Sequence, residues 1–475
     1  MRLNIFKLTA AAAASMALLE LAPAAQAVTI DVAPGKLAGA LESAVLDSEL
    51  RISGVADARD LNILRELPAD VTSLDLSNTV ITALTADSPV HLGKTMFEAN
   101  HLPAYILFRA PFSSVVLPEG LTVIENGALA GSAVTEITIP EGVTFIGEYA
   151  FYGCRNLKTV NLPSTLLSIG RGAFAGCPAL ENINLDATRV TLLPEECFSG
   201  DVSLRSLDAI HITTVGTRAL AGSGIERLSL PAAEDLGDFA LADMPDLLVL
   251  TVSPSARFGV GALMNCSSLV SVNGTPDIVP DLFAANCTSL QPTSLISNAE
   301  SIGKFSLANS SVDQIVLGPG LTSLDENALK GATALTYIDA TALTSDVPDA
   351  FDSTFAGLDP ATIKLKVSDD NINDWKAHAV WSKFDIFSEG TLGVDDIPTS
   401  SQYDGIAISF NGNTLTATAP EPITSAAIYD LNGNLLLTLP AGECVSSADT
   451  SSLPAGVWVV AVRTASAFKG IKVIN

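Results

Sequence analysis

Few side chains in this 475-residue sequence have the type and spacing that catalysis requires. Neither G-x-S-x-G nor H-E-x-x-H occurs, so the sequence carries no signature of a serine hydrolase or a zinc protease. Gly93-Lys94-Thr95 matches only the end of a phosphate-binding loop, and Ser88 holds the place of the first glycine, which favours a surface connection. The histidines lie far apart, which favours isolated surface or core side chains over metal ligands; they are His91, His101, His211 and His378.

The segment around Gly433 could form a calcium loop or a hairpin turn, and the turn accounts for more of its residues. Asp430, Asn432 and Asn434 have the spacing that begins a calcium loop, but Gly433 is misplaced and Ala441 holds the position of the bidentate glutamate. Asn-Gly instead accepts the positive φ values of a type I′ turn. We therefore predict no catalytic residue, no metal ligand and no cofactor, and we do not expect an enzyme.

Six cysteines are present without a C-x-x-C motif, which disfavours a zinc knuckle or a dithiol redox site. Cys154, Cys177 and Cys266 hold one position of an internal repeat, where other copies carry mostly small residues, so we interpret them as inward packing residues. Cys287 lies one residue late in this alignment. A disulfide between Cys154 and Cys177 stays open as a second hypothesis, because they come from adjacent copies.

The composition favours a folded protein with an acidic surface. Hydrophobic residues make up 48% of the chain and charged residues 16%, which is enough to bury a large core. Asp and Glu number 52 against 25 Lys and Arg, which gives a net charge of -27. Such a charge repels phosphate backbones and anionic lipids, so we predict no nucleic-acid or membrane-surface partner.

Residues 1–27 have the pattern of an export signal. Arg2 and Lys7 precede an apolar run from Leu8 to Leu21, and Ala25-Gln26-Ala27 matches a cleavage site. No later run is long and apolar enough to span a membrane. The sequence predicts an exported protein at the cell surface or secreted, with the periplasm as a further option.

An internal repeat dominates the sequence. Ala150-Phe151-Tyr152-Gly153-Cys154 recurs as Ala173-Phe174-Ala175-Gly176-Cys177, and weaker copies follow at intervals of 20 to 24 residues. Each copy also carries L-x-x-I-x-L-P, whose alternating apolar residues are typical of a strand, as in Leu157 to Pro163. One such coil cannot bury its own apolar side chains, so we expect stacked coils that share one core.

The repeat resembles the BspA-like leucine-rich-repeat family of bacterial surface proteins, through L-P-x-x-L/V-x-x-I-G-x-x-A-F-x-G-C-x-x-L units such as Leu162 to Leu180. The resemblance implies a leucine-rich-repeat solenoid, with a short β-strand plus a turn or short helix in each of about eleven coils. Its expected parts are an N-terminal cap over residues 28–70, the solenoid over residues 71–345 and a C-terminal cap over residues 346–389. Within the C-terminal cap, Ser368 is expected to begin a helix that brings Trp375 and Trp381 over the end of the core.

The residues after the cap predict a linker over 390–405 and an antiparallel β-sandwich over 406–475. This tail resembles the C-terminal sorting domain of the type IX secretion system. The matching segments are Ile428 to Gly433, Leu453-Pro454-Ala455-Gly456 and Lys472-Val473-Ile474. The resemblance implies the secretion machinery as a partner of residues 406–475.

Ligand binding is expected on the outward residues of the predicted strands, which the core does not use. The candidate ligand-face residues are Glu136, Thr138, Lys158, Asn161, Glu181, Asn184, Arg205, Asp208, Glu226 and Arg227. They are polar and not aromatic, which does not favour a sugar platform on this face. The resemblance implies adhesion to an extracellular protein or glycan; the alternatives are a structural envelope or matrix protein and a nutrient-capture protein.

Overall fold

The computed structural model describes residues 27–474, except 275, 291–295, 345, 389–405, 412–413, 430–434, 454–456 and 465–467. The chain divides into two compact units, Met1–Glu389 and Gly390–Asn475, and each is considered by itself. The export signal before residue 27, the linker and the Asn-Gly turn lie outside the described residues.

The first unit is a solenoid of stacked coils, which confirms the predicted leucine-rich-repeat fold. One strand of each coil pairs in parallel with its neighbours, and these strands form what we name the strand row. In chain order its strands are Val28–Val32, Glu49–Ala56, Ser73–Asp75, Ser114–Val116, Glu136–Thr138, Thr159–Asn161, Asn182–Ile183, Arg227–Leu230, Val249–Val252, Ser271–Asn273, Gln314–Val316, Tyr337–Asp339, Lys364–Val367 and Asp385–Ser388. Thr79–Ile81 also pairs with Glu49–Ala56. The strands of both predicted caps thus join the row.

A second row of short parallel strands lies further along each coil. Its members are His101–Leu102, Val123–Ile124, Phe145–Ile146, Ser168–Ile169, Leu192–Leu193, Thr214–Val215, Asp235–Leu236, Arg257–Phe258, Ile278–Val279, Ser301–Ile302 and Ser323–Leu324. Before this row, Leu84–Thr85 and Met96–Phe97 pair as an antiparallel hairpin.

The register of the strand row keeps one face of every strand in the core. Ile137 pairs with Val160 and both are buried, whereas the neighbouring Glu136 is exposed. The apolar cluster runs without interruption from Ile30 to Phe384. Burying one such aliphatic side chain contributes about 1.5–3 kcal/mol. The stacking of coils therefore supplies the burial that one coil lacks.

Each coil then turns through two left-handed residues four positions apart, and we name these positions the turn row. Tyr149 and Gly153 have φ values of 55° and 67°, and the equivalent residues of the next coil are Gly172 and Gly176. Between them the aromatic rings of Phe151 and Phe174 stack with centroids 5.3 Å apart. The repeated A-F-x-G pattern is therefore a turn whose aromatic ring enters the core.

The glycine of the I-G pair has a different role from the one that the sequence suggests. The sequence predicts that Gly147 permits a tight turn through its own flexibility, but its φ is not positive. The backbone of the preceding coil lies against it instead, at Glu125 and Asn126. Glycine is required at this position because a side chain has no room.

The five cysteines of the solenoid are buried, and none of them forms a disulfide in this structure. Cys154 donates to the carbonyl of Leu129 in the preceding coil at 3.2 Å, and Cys177 donates to that of Phe151 at 3.2 Å. Cys287 donates in the same way to Leu263 at 3.1 Å, so it is not one residue late. The alignment on Phe283 was wrong, because the left-handed residues Leu282 and Asn286 centre this coil on Ala284.

Two short helices cover the N-terminal end of the core. They are Leu37–Glu42 and Ala58–Asn62, followed by a 3-10 turn at Leu64–Glu66. Buried Asp60 links them, because its carboxylate accepts the backbone N–H groups of Gly35 and Leu37 at 2.7 and 2.9 Å. The spacing of Leu37, Leu41 and Val45 predicts one buried helix face, but the helix ends at Glu42 and Val45 is 89% exposed.

The C-terminal end is closed by aromatic side chains. The helix Ile372–Ala377 and the 3-10 turn Trp381–Lys383 place Trp375 and Trp381 in full burial, with ring centroids 5.3 Å apart. Ser368 does not begin this helix, since Asn371 precedes its first residue. Further 3-10 turns in the described part of the unit include Leu185–Ala187, Asp352–Phe355 and Pro360–Thr362.

The second unit consists of two antiparallel sheets around one core, consistent with the predicted sandwich. Its core includes Leu415 from one sheet and Ile428 and Trp458 from the other. The first sheet contains Ala407–Asn411, Thr414–Thr418 and Val445–Asp449. The second contains Leu435–Leu439, Ser425–Tyr429, Val457–Arg463 and Phe468–Ile474.

Candidate functional site

All ten candidate ligand-face residues are exposed along the strand row, from Glu136 to Arg227. Parallel pairing brings residues of successive coils side by side, so that Glu136 lies beside Thr159 and Thr138 beside Asn161. Adjacent coils are about 4.8 Å apart, which places these polar groups in one continuous row.

Four of the candidates form a column in which the sign of the charge alternates. They begin the outward segment of successive coils and are Lys158, Glu181, Arg205 and Glu226. The two positive and two negative charges of this column cancel, and all four side chains face solvent.

The side chains of Asn161 and Asn184 also form hydrogen bonds with neighbouring residues of the solenoid. The Asn184 amide oxygen accepts the backbone N–H of Leu162 at 2.6 Å, and its amide nitrogen donates to the Leu162 carbonyl at 3.1 Å. Asn161 donates to the Thr138 hydroxyl at 3.2 Å. Asn184 therefore replaces strand hydrogen bonds between two coils, and it is held in one orientation.

The strand row is interrupted at the coil that carries Arg205 and Asp208. These residues were expected on a strand, but residues 205–208 form none. The 3-10 turn at Leu185–Ala187 takes the preceding coil out of the row directly after Asn184. The Arg205 guanidinium extends along the stack to the Asp246 carboxylate at 2.5 Å, and it also donates to the Gly224 carbonyl.

The interruption coincides with a shallow depression of about 240 Å³. It is lined by side chains of three successive coils, including Asn161, Glu181, Asn184 and Asp208 from the candidate set. Two carboxylates and three amides thus surround this depression, and none of its lining residues is basic. Such a lining accepts hydrogen bonds and attracts positive charge.

Aromatic residues are present on the strand row only near its C-terminal end in the described part. They are Tyr337 and Phe387, neither of which belongs to the candidate set. Their ring centroids are 6.4 Å apart, and the Lys364 ammonium lies 5.8 Å from the Phe387 ring centroid. The alternation in Asp385-Ile386-Phe387-Ser388 was the available signal.

The residues with possible chemistry serve structural contacts. Buried His91 contacts the Asn62 amide oxygen and the Ala104 carbonyl, each at 2.7 Å, and burial lowers its pKa. Lys94 pairs with Glu125 at 3.5 Å. Within the described ranges, no cluster of His, Cys, Asp and Glu side chains could hold a metal ion. In the same ranges no helix combines the length and apolar character that a membrane crossing requires.

Stacked parallel coils with an exposed polar strand row define a leucine-rich-repeat protein. The profile of the BspA type leucine rich repeat region matches residues 122–247 and 256–375, more than half of the chain. The chain therefore belongs to the BspA-type leucine-rich-repeat family. No curated protein matches it.

Several solved structures are similar. A leucine-rich repeat protein from Bacteroides ovatus is 20% identical over 76% of this chain and 92% of its own, with a TM-score of 0.52. The pneumococcal vaccine antigen PcpA is 17% identical over 76% and 82%, with a TM-score of 0.38. A leucine rich cell surface protein from Faecalibacterium prausnitzii is 19% identical over 54% and 85%, with a TM-score of 0.27. The likeness to the Bacteroides ovatus protein supports the fold alone.

Proposed function

We propose that this protein is an exported binding protein whose strand row holds an extracellular protein, with a basic segment of that protein in the depression beside Asn184. The carrying observation is the depression where the row is interrupted, which is lined by Glu181, Asp208 and three amides. Here side chains of three successive coils converge on one depression.

The physical basis is a rigid surface with many polar contacts. Stacking fixes the backbone of successive coils, so little backbone conformational entropy is lost when a ligand binds. Asn184 is already held by the backbone of Leu162. The net charge of -27 accelerates the approach of a cationic partner and repels an anionic one.

The proposal includes the cellular location and the tail. Residues 1–27 direct export, and residues 406–475 act as a sorting domain that is recognised by the secretion machinery. The support is the sequence pattern of both segments and membership in the BspA-type family. The cell surface is the location at which a macromolecule-binding solenoid can meet such a ligand.

Binding is tested with purified full-length protein and synthetic peptides that carry lysine and arginine, together with matched peptides that carry glutamate instead. We expect the basic peptides to bind, and the variant Glu181→Gln/Asp208→Asn to bind them about tenfold more weakly, which is about 1.4 kcal/mol. The control is Glu300→Gln/Asp277→Asn, which removes the same charge from exposed positions outside the strand row. An equal loss in both variants, or no preference for basic peptides, would contradict the proposal.

The location is tested by treating intact producing cells with protease and probing the solenoid with an antibody. Loss of the solenoid signal supports exposure at the surface. Protection until the outer membrane is permeabilised would place the protein in the periplasm and overturn the surface-binding proposal in favour of a structural or nutrient-handling role.

A further inference from the structure

A second recess lies on the turn row, away from the strand row. It has a volume of about 600 Å³ and extends over four successive coils. Phe108 and Tyr152 line it and are 39% and 52% exposed. Arg109, Arg155 and Asn156 supply its polar groups, and Gly131 forms part of its floor.

The two aromatic side chains hold the same position in coils that are two apart. The backbone N–H of Arg109 donates to the Ala130 carbonyl at 2.9 Å, and that of Gly131 donates to the Tyr152 carbonyl at 2.7 Å. Phe108, Ala130 and Tyr152 therefore align along the stack. Since adjacent coils are about 4.8 Å apart, the aromatic positions are roughly 10 Å apart, with small residues between them.

Both exposed rings are held in place by a second ring of their own coil. Tyr105 meets Phe108 edge to face with centroids 6.0 Å apart, and Tyr149 meets Tyr152 in the same way at 5.7 Å. Tyr105 in turn lies over Gly127, where a side chain would collide with its ring. The recess is therefore formed in advance of binding.

The recess is cationic although the chain is strongly acidic. Arg109 and Arg155 line it together with no carboxylate. The Arg109 guanidinium lies 5.1 Å from the Phe108 ring centroid, a cation–π distance. Among the described residues, neither arginine forms an ion pair, whereas other arginines such as Arg171 and Arg257 do. Their guanidinium groups are available to a carboxylate.

We propose that this recess binds an acidic sugar, a pyranose ring with one carboxylate within a glycan. The apolar face of the ring stacks on Tyr152 and Phe108, which present flat apolar surfaces. Arg155 and Arg109 bind the carboxylate, for which the planar guanidinium has a matching geometry. The Asn156 amide binds ring hydroxyls, and Gly131 allows the sugar to approach the backbone.

This site is distinct from the strand-row depression and carries opposite charge. A single carboxylate responds to the two nearby guanidinium groups, whereas a long polyanion meets the repulsion of the whole chain. The opposite charges of the two surfaces also give them different ligands, since Glu181 and Asp208 repel an acidic sugar.

The test uses titration calorimetry with the full-length protein to measure the binding of galactose oligosaccharides that carry a single galacturonic acid residue. Neutral galactose oligosaccharides of equal length are the matched ligand. We expect the acidic sugars to bind at least about tenfold more tightly. Tyr152→Ala and Arg155→Gln should each weaken that binding about tenfold or more. Thermal melting curves verify that both variants fold, as the exposure of Tyr152 leads us to expect.

Matched controls are Phe351→Ala, an exposed aromatic residue at the other end of the solenoid, and Arg227→Gln on the strand row. Both should bind the acidic sugar as the wild type does, and so should Glu181→Gln/Asp208→Asn. Equal affinity for neutral sugars, unchanged binding in Arg155→Gln, or binding of acidic peptides instead of sugars would overturn the proposal. Failure of the strand-row test leaves this outcome unaffected, because different residues and ligands are measured.

Discussion

Gly147 lies directly against the backbone of Asn126 in the preceding coil, and an added Cβ at Gly147 would be 2.5 Å from the Asn126 nitrogen. The N–H of Gly147 donates to the Ile124 carbonyl at 2.7 Å, so the two coils cannot separate there without the loss of a ladder hydrogen bond. The same glycine recurs against backbone at Gly216, Gly237 and Gly259. The spacing of the stack is thus set by backbone contact.

Gly147→Ala should lower the free energy of unfolding by about 3 kcal/mol, because the neighbour is backbone and cannot rotate away. Urea denaturation followed by circular dichroism measures the effect. Gly153→Ala is the control, since Gly153 has a φ of 67° but open space around its Cβ direction, so only the left-handed penalty of about 1–2 kcal/mol applies. If Gly147→Ala lowered the free energy of unfolding less than Gly153→Ala does, backbone contact at Gly147 would not be what requires glycine there.

A ladder of three amide side chains and the Asp243 carboxylate connects four coils of the turn row. Asn265 donates to Asp243 at 2.7 Å, Asn286 to Asn265 at 2.8 Å, and Asn309 to Asn286 at 2.9 Å. All four have positive φ, where upstream coils use glycine. Asn286→Ala should cost about 2 kcal/mol through the lost hydrogen bonds and the strained φ, whereas Asn286→Gly should cost about 1 kcal/mol. Equal urea midpoints for both variants would show that the strained φ of Asn286→Ala adds no cost beyond the lost hydrogen bonds.

Asp201 should make the solenoid less stable as pH rises. Its carboxyl group is fully buried, with one oxygen accepting the Cys177 N–H at 2.7 Å and the other without a partner in the described structure. Burial raises its pKa well above the ordinary value of 3.8. A raised pKa in the folded state means that its contribution to stability is fully present below the unfolded pKa and is lost as pH rises through the folded pKa.

The measurement compares urea midpoints of the wild type and Asp201→Asn across pH. Asp201→Asn keeps an oxygen that can accept the Cys177 N–H, but it cannot ionise. Its urea midpoint should therefore rise relative to that of the wild type as pH rises from the acidic range to neutrality. Because all other carboxyl groups titrate equally in both proteins, the difference isolates Asp201. If the difference between the two urea midpoints did not change with pH, the pKa of Asp201 would not be raised in the folded protein.

One thiol should react rapidly with a water-soluble thiol reagent, and the other five should react slowly. Cys444 is exposed, whereas the other five cysteines are buried. Burial also raises the pKa of Cys197 well above its usual value, which leaves it unreactive as a thiol. We expect rapid labelling of Cys444 alone in native protein and of all six in denaturant. Peptide mapping without reductant that found Cys154 joined to Cys177 would contradict free thiols.

The solenoid could be predicted from the repeat alone, because a repeat that buries its apolar residues only by stacking leaves few other folds. It also identified the outward residues from Glu136 to Arg227, since strand alternation separates them from core residues such as Val160. The inward position of Cys154 followed from its interchange with small residues in other copies.

Tertiary structure decided what depends on contact between coils. The predicted position of Cys287 in the repeat was wrong because Phe283 was aligned with the core phenylalanines of other coils. The left-handed residues Leu282 and Asn286 show the actual centre of this turn. The break at residues 205–208 is a failure of strand pairing, which a single coil cannot reveal. Phe108 and Tyr152 are distant in sequence, and only the stacking of alternate coils brings their rings to the two sides of one recess.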